Sequence, residues 1–471
     1  MTVNTSIRSV LALTAAAALT LAGCGGDSAA GGDPDRNADA TEVNLVISSN
    51  AAQGGKNTAE ADWIVNYVIP TFTQRMAAEG VTANVTFEPS GVDDEQYKTK
   101  LSLDMRSGAG ADIVTLDGIW VGEFAQAGYI RPLTDVAGTG VDAWDGWSQI
   151  PEAVQQLGVF EGKRYGVPFG TDARVLFYNK KLFAQAGLTT EWQPRGWQDI
   201  LDAAERLKTL PGVDPLQINA GTAMGEATTM QGVLPLLAGT GEPLHAEGKW
   251  LGDSAALRDV LGFYQRVYGG GLGDPQLQQE AKGRDKSFQE FAEHKIGILL
   301  ESDYLWSSVI EPTEGSTPMA DRDEAVGFAK IPARQPGAGL NGQDFVSMSG
   351  GGARTVNPNT DYPQQAWRLL EFMNSAEAVE ALMGEARARV TQREDVNAKI
   401  LAGDPLLSFI SAEVLPITAY RPGLAEYPQV SQALQEATAA VLTGTSPEEA
   451  AQAYQAALER ALGGADDIRA N

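Results

Sequence analysis

Tyr97-Lys98-Thr99-Lys100-Leu101-Ser102-Leu103-Asp104-Met105-Arg106-Ser107, then Gly108, then Ile113-Val114-Thr115-Leu116: this stretch sets the fold class. Leu101 and Met105 stand four apart, on one helical face, and Gly108 stops the helix. The run that follows is short, apolar and β-branched, so it reads as a strand. The same alternation continues outward. Val43-Asn44-Leu45-Val46-Ile47-Ser48 is a strand upstream. Phe124 to Ala127 is a helical turn closed by Gly128. Tyr165 to Phe169 and Arg174 to Tyr178 read as strands, and Gly297 to Leu300 as a buried strand. Trp197 to Leu207 is a helix with Ile200, Leu201, Ala204 and Leu207 on one side, and Trp367 to Phe372 lies on another. Alternating strands and helices imply α/β lobes with helices on both sheet faces. The 471 residues suit two lobes of ordinary domain size.

The N-terminus carries a second message. Arg8 precedes Val10 to Leu21, a Leu/Ala-rich run too short to span a membrane, and small residues and a turn follow. This is the pattern of a secretory signal peptide over 1–23. Its end, Leu21-Ala22-Gly23-Cys24, is similar to the lipobox of bacterial lipoproteins, in which the Cys becomes the lipidated first residue. Cys24 is the one Cys of the chain, so the mature protein is expected to have neither free thiol nor disulfide. Gly25 to Ala40 has almost nothing to bury and reads as a flexible tether, the segment 24–41 as a whole. The expected location is extracytoplasmic, on the outer face of the cell membrane, held by the lipid.

Composition narrows the function. With 61 acidic and 35 basic residues the formal net charge is −26, which repels nucleic acid and anionic headgroups. Two histidines, His245 and His294, are far apart and lack motif context, so both read as surface residues rather than triad members. No phosphate-cradling GxxxxGK[ST] loop, no GxGxxG fingerprint and no metal-ligand spacing occurs; no cofactor and no metal are expected. A glycosidase would need paired carboxylates at a fixed separation, and no local motif argues for one.

Carboxylates and aromatics stand at strand ends and in loops. Asp117 and Trp120 follow Ile113–Leu116, and Asp172 stands between two strands. Glu226 lies in a Gly-rich polar stretch, and Asp303, Tyr304 and Trp306 follow Gly297–Leu300. Open α/β sheets bind ligands beyond the carboxyl ends of their strands. Sugars suit this set: hydroxyls bond to carboxylates, and C–H faces stack on rings. Each residue has a plain structural alternative. Trp120 could be a core anchor, Asp117 a helix cap and Asp172 a turn residue, and one of Tyr304 and Trp306 should be core.

The order of these segments resembles the extracellular solute-binding proteins of family 1, the sugar-binding proteins of ABC importers, over most of the mature chain. The resemblance rests on Gly110-Ala111-Asp112-Ile113-Val114 with Glu123 to Leu133, and on Tyr165-Gly166-Val167-Pro168-Phe169 with Leu176-Phe177-Tyr178-Asn179-Lys180. Trp197-Gln198-Asp199-Ile200, Phe291 to Leu300 and Gly350-Gly351-Gly352 add to it. Glu226 to Gly241 and Ala419-Tyr420-Arg421-Pro422 look most like the mycobacterial trehalose-binding lipoproteins. The chain departs from the family where Tyr304 stands in place of Trp and where Arg389 to Arg393 replaces a Pro-containing turn.

The resemblance implies a two-lobe periplasmic-binding-protein fold with a hinge, and lobes of 42–171 plus 333–374 and 172–332 plus 375–471. The chain would cross near Gly170 to Asp172, Ile331 to Arg334, and Asn374. It implies ligand contacts at Asp117, Trp120, Asp172, Glu226, Tyr304, Gly351 and Arg421. It also implies a monomer that is not an enzyme, binds a carbohydrate and docks on ABC permease subunits. The alternatives are a binding protein for a non-sugar solute and a secreted glycoside hydrolase.

Overall fold

The structure, a computed structural model, describes residues 32–92, 94–385 and 389–469. The expected signal peptide and the expected lipidation site Cys24 lie outside the described residues. Among those described, no helix is long and apolar enough to cross a membrane.

Two sheets organise the chain. The first has five strands in the order Thr82–Pro89, Glu42–Ser49, Ile113–Asp117, Gly351–Val356 and Val167–Thr171. Its first three strands are parallel, and Gly351–Val356 runs antiparallel to both neighbours. Along Glu42–Ser49, Val43, Leu45 and Ile47 are buried, the period of two that a strand requires. The helix Asp94–Arg106 covers one face through buried Tyr97, Leu101 and Met105, the stripe its spacing predicts.

The second sheet has the order Val326–Ala329, Arg174–Asn179, Ile296–Ser302 and Asp214–Gln217. Its two central strands are buried at every position, because helices cover both faces. Trp197–Leu207 is one of those helices, with Ile200, Leu201, Ala204 and Leu207 turned inward.

The chain leaves the first sheet after Thr171 and enters the second at Arg174, within the stretch where the first crossing is expected. The return differs from expectation. Ile331–Pro332 pairs with Phe345–Ser349, which pairs in parallel with Thr418–Tyr420. Ile331, Val346 and Met348 are buried in the same core as Leu176 and Ile298 of the second sheet. The chain rejoins the first sheet only at Gly351. Residues 333–349 therefore stay with the second sheet, and the return falls at Gly350 rather than at 331–334. The physical reason is pairing: a hairpin of apolar strands buries Val346 and Met348 where a crossing segment would not.

Two further segments sit differently from expectation. Ala376–Glu385 lies on the helices of the first sheet: Trp63 Nε1 donates to the Ala378 carbonyl at 2.8 Å, and Arg75 pairs with Glu377. The described part of the tether is also folded. Asn37 Nδ2 donates to the Asp361 carbonyl at 2.9 Å, and Gln365 Nε2 donates to the carbonyls of Asn37 and Ala38 at 2.9 and 3.0 Å. Asn374 bonds around the first crossing: Gln392 Nε2 donates to its Oδ1 at 3.1 Å, and the Gly170 amide donates to Gln392 Oε1 at 3.2 Å.

Candidate ligand cleft

An open cleft of about 1670 Å³ is lined from the first sheet's side by Asp117, Gly118, Ile119, Val121 and Gly122, and by Leu157 and the stretch Val159 to Arg164. The facing wall comes from His245, Asn341, Gln343 and the loop Tyr420 to Leu424, and Gly350 and Gly351 form part of the lining. The cleft thus runs between elements of the two sheets.

Asp117 ends its strand, and one carboxylate oxygen accepts from the Ile119 amide at 3.1 Å, capping the short turn Gly118–Trp120. The cap fixes the side chain and leaves the rest of the carboxylate open to the cleft. Recession into the protein pushes the Asp117 carboxyl above its ordinary range; Arg421 and the Ile119 amide pull it back, and Asp94 and Asp172 push it further up.

Arg421 emerges from the loop after Thr418–Tyr420, and its guanidinium lies 3.2 Å from Glu226 and 3.9 Å from Asp117. Burial opposes its charge, but Tyr427, Asp117 and Glu226 outweigh that and leave its pKa above the usual value. Glu226 opens a short helix behind Gly225, whose φ of 57° and ψ of −135° suit glycine alone. The Glu226 carboxylate accepts from Tyr427 Oη at 2.5 Å and Ser431 Oγ at 2.6 Å as well as from Arg421. Tyr427 and Ser431 are four apart on the helix Tyr427–Leu442, so they reach the carboxylate together. That spacing was visible in the sequence, but nothing there tied it to Glu226.

Asp172 sits at the crossing. It accepts from the Gly350 amide at 2.5 Å and from Arg174 Nη1 at 2.5 Å, so it ties one crossing segment to the other. Beside it Asp303 is buried, and its amide donates to the Ala173 carbonyl at 3.1 Å. Burial, then the Asp172 charge, push the Asp303 carboxyl up to about 7; Arg174 acts the other way.

The expected contacts therefore divide. Asp117, Gly351 and Arg421 line the cleft. Glu226 holds Arg421, and Asp172 holds Gly350. Trp120 is 5% exposed, lies against Tyr97 with ring centroids 6.4 Å apart, and is not among the lining residues. Tyr304 is also outside the lining but is 49% exposed, whereas Trp306 is 1% exposed and donates to Asp404 from Nε1 at 3.0 Å. The chain turns helical after Ser302, which sends residues two apart to opposite sides. His245 lines the cleft with its ring 4.9 Å from that of Trp250, and burial lowers its pKa, so it is less of a surface residue than its lack of motif suggests. Tyr420, whose hydroxyl lies 3.1 Å from that of Thr171, was missed because that partner is distant in sequence. Arg174 was missed although its partner Asp172 stands two residues before it, because its other partner, the Met348 carbonyl at 3.3 Å, is distant.

The family model of the bacterial extracellular solute-binding proteins matches residues 62–380. The chain belongs to that family. A binding protein from Brucella abortus is 25% identical over 363 residues, covering 76% of each chain. The fold is that of the sugar-binding protein MalE from Xanthomonas citri, with a TM-score of 0.70 at 17% identity over 89% of this chain and 98% of that one. A solute-binding protein from Thermotoga lettingae, solved with α-D-tagatose, has a TM-score of 0.62 at 24% identity over 89% of this chain and 100% of that one. The solute-binding protein family thus accounts for the two-lobe fold with a cleft between its sheets.

Proposed function

We propose that the chain is the substrate-binding component of an ABC importer. It captures an uncharged di- or oligosaccharide in the cleft and delivers it, unaltered, to membrane permease subunits. The observation that carries this reading is the Asp117–Arg421–Glu226 bridge, in which a carboxylate from each side of the cleft flanks one guanidinium. Such an array offers charged acceptors and donors at fixed spacing to sugar hydroxyls. Tyr304, exposed near the end of the strand Ile296–Ser302 but outside the cleft lining, is the aromatic face that this reading brings to the ligand when the lobes move. The likeness to sugar-binding neighbours supports the same class. Binding does no chemistry in this scheme; it shifts the lobes toward closure. Acylation of Cys24 would hold the protein at the outer face of the membrane, and Cys24→Ala should release it from the membrane fraction.

Thermal shift with a panel of neutral di- and oligosaccharides tests the assignment. A sugar at about 100 times its Kd stabilises by roughly 2.7 kcal/mol, or about a few degrees in Tm. Chromatography of the recovered sugar then separates binder from hydrolase. Cleaved sugar in excess of protein would overturn the binding-only reading, and a panel without any shift would overturn the carbohydrate assignment.

A further inference from the structure

A second, smaller cavity of about 20 Å³ lies between the strand Gly351–Val356 and the helix Ala376–Glu385, and it shares no lining residue with the cleft. Its wall is largely apolar, built from Trp63, Phe169, Met373, Val379, Leu382 and Met383. Two arginines, Arg354 and Arg389, also line it, and among the described residues no carboxylate does. Arg354 is 2% exposed, and its guanidinium lies over the rings of Phe169 and Trp63 in that wall, at 4.1 and 5.1 Å. A planar guanidinium with rings on its faces takes hydrogen-bond partners only in its own plane. There Nη2 donates to Glu60 at 2.8 Å, whereas Nε is buried and has no partner among the described residues. A buried N–H left without an acceptor costs stability and calls for one. Burial lowers the Arg354 pKa, Glu60 raises it, and the Arg389 charge lowers it again.

We propose that this cavity binds one monatomic halide ion, chloride under physiological conditions, held by Arg354 Nε and the Arg389 guanidinium. Arginine donates and never accepts, so an occupant that faces both must accept from both. Water in that place would also need acceptors for its own hydrogens. The polar side chains of the lining are already committed. Gln392 Oε1 accepts from the Gly170 amide at 3.2 Å, and its Nε2 donates to Asn374 Oδ1 at 3.1 Å. Thr391 Oγ1 donates to Asn397 Oδ1 at 2.8 Å and accepts from the Arg393 amide at 3.1 Å. A halide only accepts, and it brings negative charge to a site with two guanidinium groups. The volume holds one sphere of about water size and is too small for sulfate or phosphate. Arg389 is exposed, so the ion enters past it. Once bound, the ion fastens the stretch Arg389 to Gln392 to the first sheet, beside Gly170.

The test uses sodium chloride, with sodium gluconate at equal ionic strength as the reference. Chloride should raise Tm by about 1–3 °C, and the gain should saturate with concentration, as binding at one site requires. Crystals grown in sodium bromide should show an anomalous peak within hydrogen-bond reach of Arg354 Nε. Arg389→Gln should raise the half-saturating chloride concentration by about tenfold or more, the loss of a charge-assisted hydrogen bond. Its Tm in gluconate should stay near that of the parent, because the side chain is exposed. Arg389→Lys, which keeps the charge, should recover part of the affinity. Equal Tm in the two salts, a gain that never saturates, a bromide peak absent from the cavity, or an Arg389→Gln protein with the parent's half-saturation overturns the proposal. No sugar enters these measurements, so the proposal stands or falls apart from the carbohydrate reading of the cleft.

Discussion

Arg354, buried, and Arg421, partly buried, each have a glutamate partner, yet they do opposite things. Arg354 is 2% exposed, lies 2.8 Å from Glu60, and is sandwiched between the rings of Trp63 and Phe169 at 5.1 and 4.1 Å. All four residues belong to one side of the molecule, and burial lowers the Arg354 pKa even with Glu60 beside it. Arg421 instead reaches carboxylates on both sides of the cleft. An ion pair closed within one core has lost its water whether or not ligand is present, so removing one partner strands a buried charge and costs stability rather than affinity. An ion pair shared across a cleft is remade whenever the cleft opens, so its free energy enters binding.

The comparison breaks first at stability. Arg354→Ala would leave Glu60 buried without its partner and should cost about 3–5 kcal/mol, read by urea denaturation. Arg421→Ala should cost far less, since water can reach its half-exposed partners when the cleft opens. Equal losses from the two substitutions would erase the distinction.

The second contrast is in affinity. Arg421→Ala and Glu226→Ala should weaken ligand by about tenfold to a hundredfold, the worth of a charge-assisted hydrogen bond at roughly 1.5–3 kcal/mol. If Glu226 acts through Arg421, the double variant should lose little more than either single one, which titration calorimetry measures.

Asp303 sharpens the comparison through pH. Its folded pKa of about 7 lies above its ordinary value of 3.8, so the folded state holds the proton more tightly between these values. Stability is then fullest below pH 4 and declines as pH rises toward 7. Asp303→Asn should remove that decline, so that the two stability profiles separate as pH rises from 4 toward 7. Parallel profiles would mean that Asp303 ionises as freely as in the unfolded chain.

The smallest effect separates Tyr304 from Trp306. Tyr304→Ala should leave Tm unchanged and weaken ligand by about 0.5–1.5 kcal/mol, as loss of a stacking ring does. Trp306→Ala should unsettle the core and leave intrinsic affinity alone. Reversed phenotypes would place the wrong ring at the ligand.

Much of this protein was fixed by local pattern. Period-two burial in Glu42–Ser49 and the Tyr97, Leu101, Met105 stripe are properties of neighbouring residues, so strands and helices can be read directly. The strand-end position of Asp117 follows from the same reading, since a strand's carboxyl end is a local feature. What tertiary structure decided were facts of pairing and packing. Gly350 became the return because Phe345–Ser349 found Thr418–Tyr420, about seventy residues away. Residues 32–41 became ordered because Gln365 and Asp361 met them from the far end of the lobe. Tyr304 faced out and Trp306 in because the chain turned helical there, and the Asp117–Arg421–Glu226 bridge joined three segments no spacing rule connects. Local periodicity records which face a residue shows; only folding decides what that face meets.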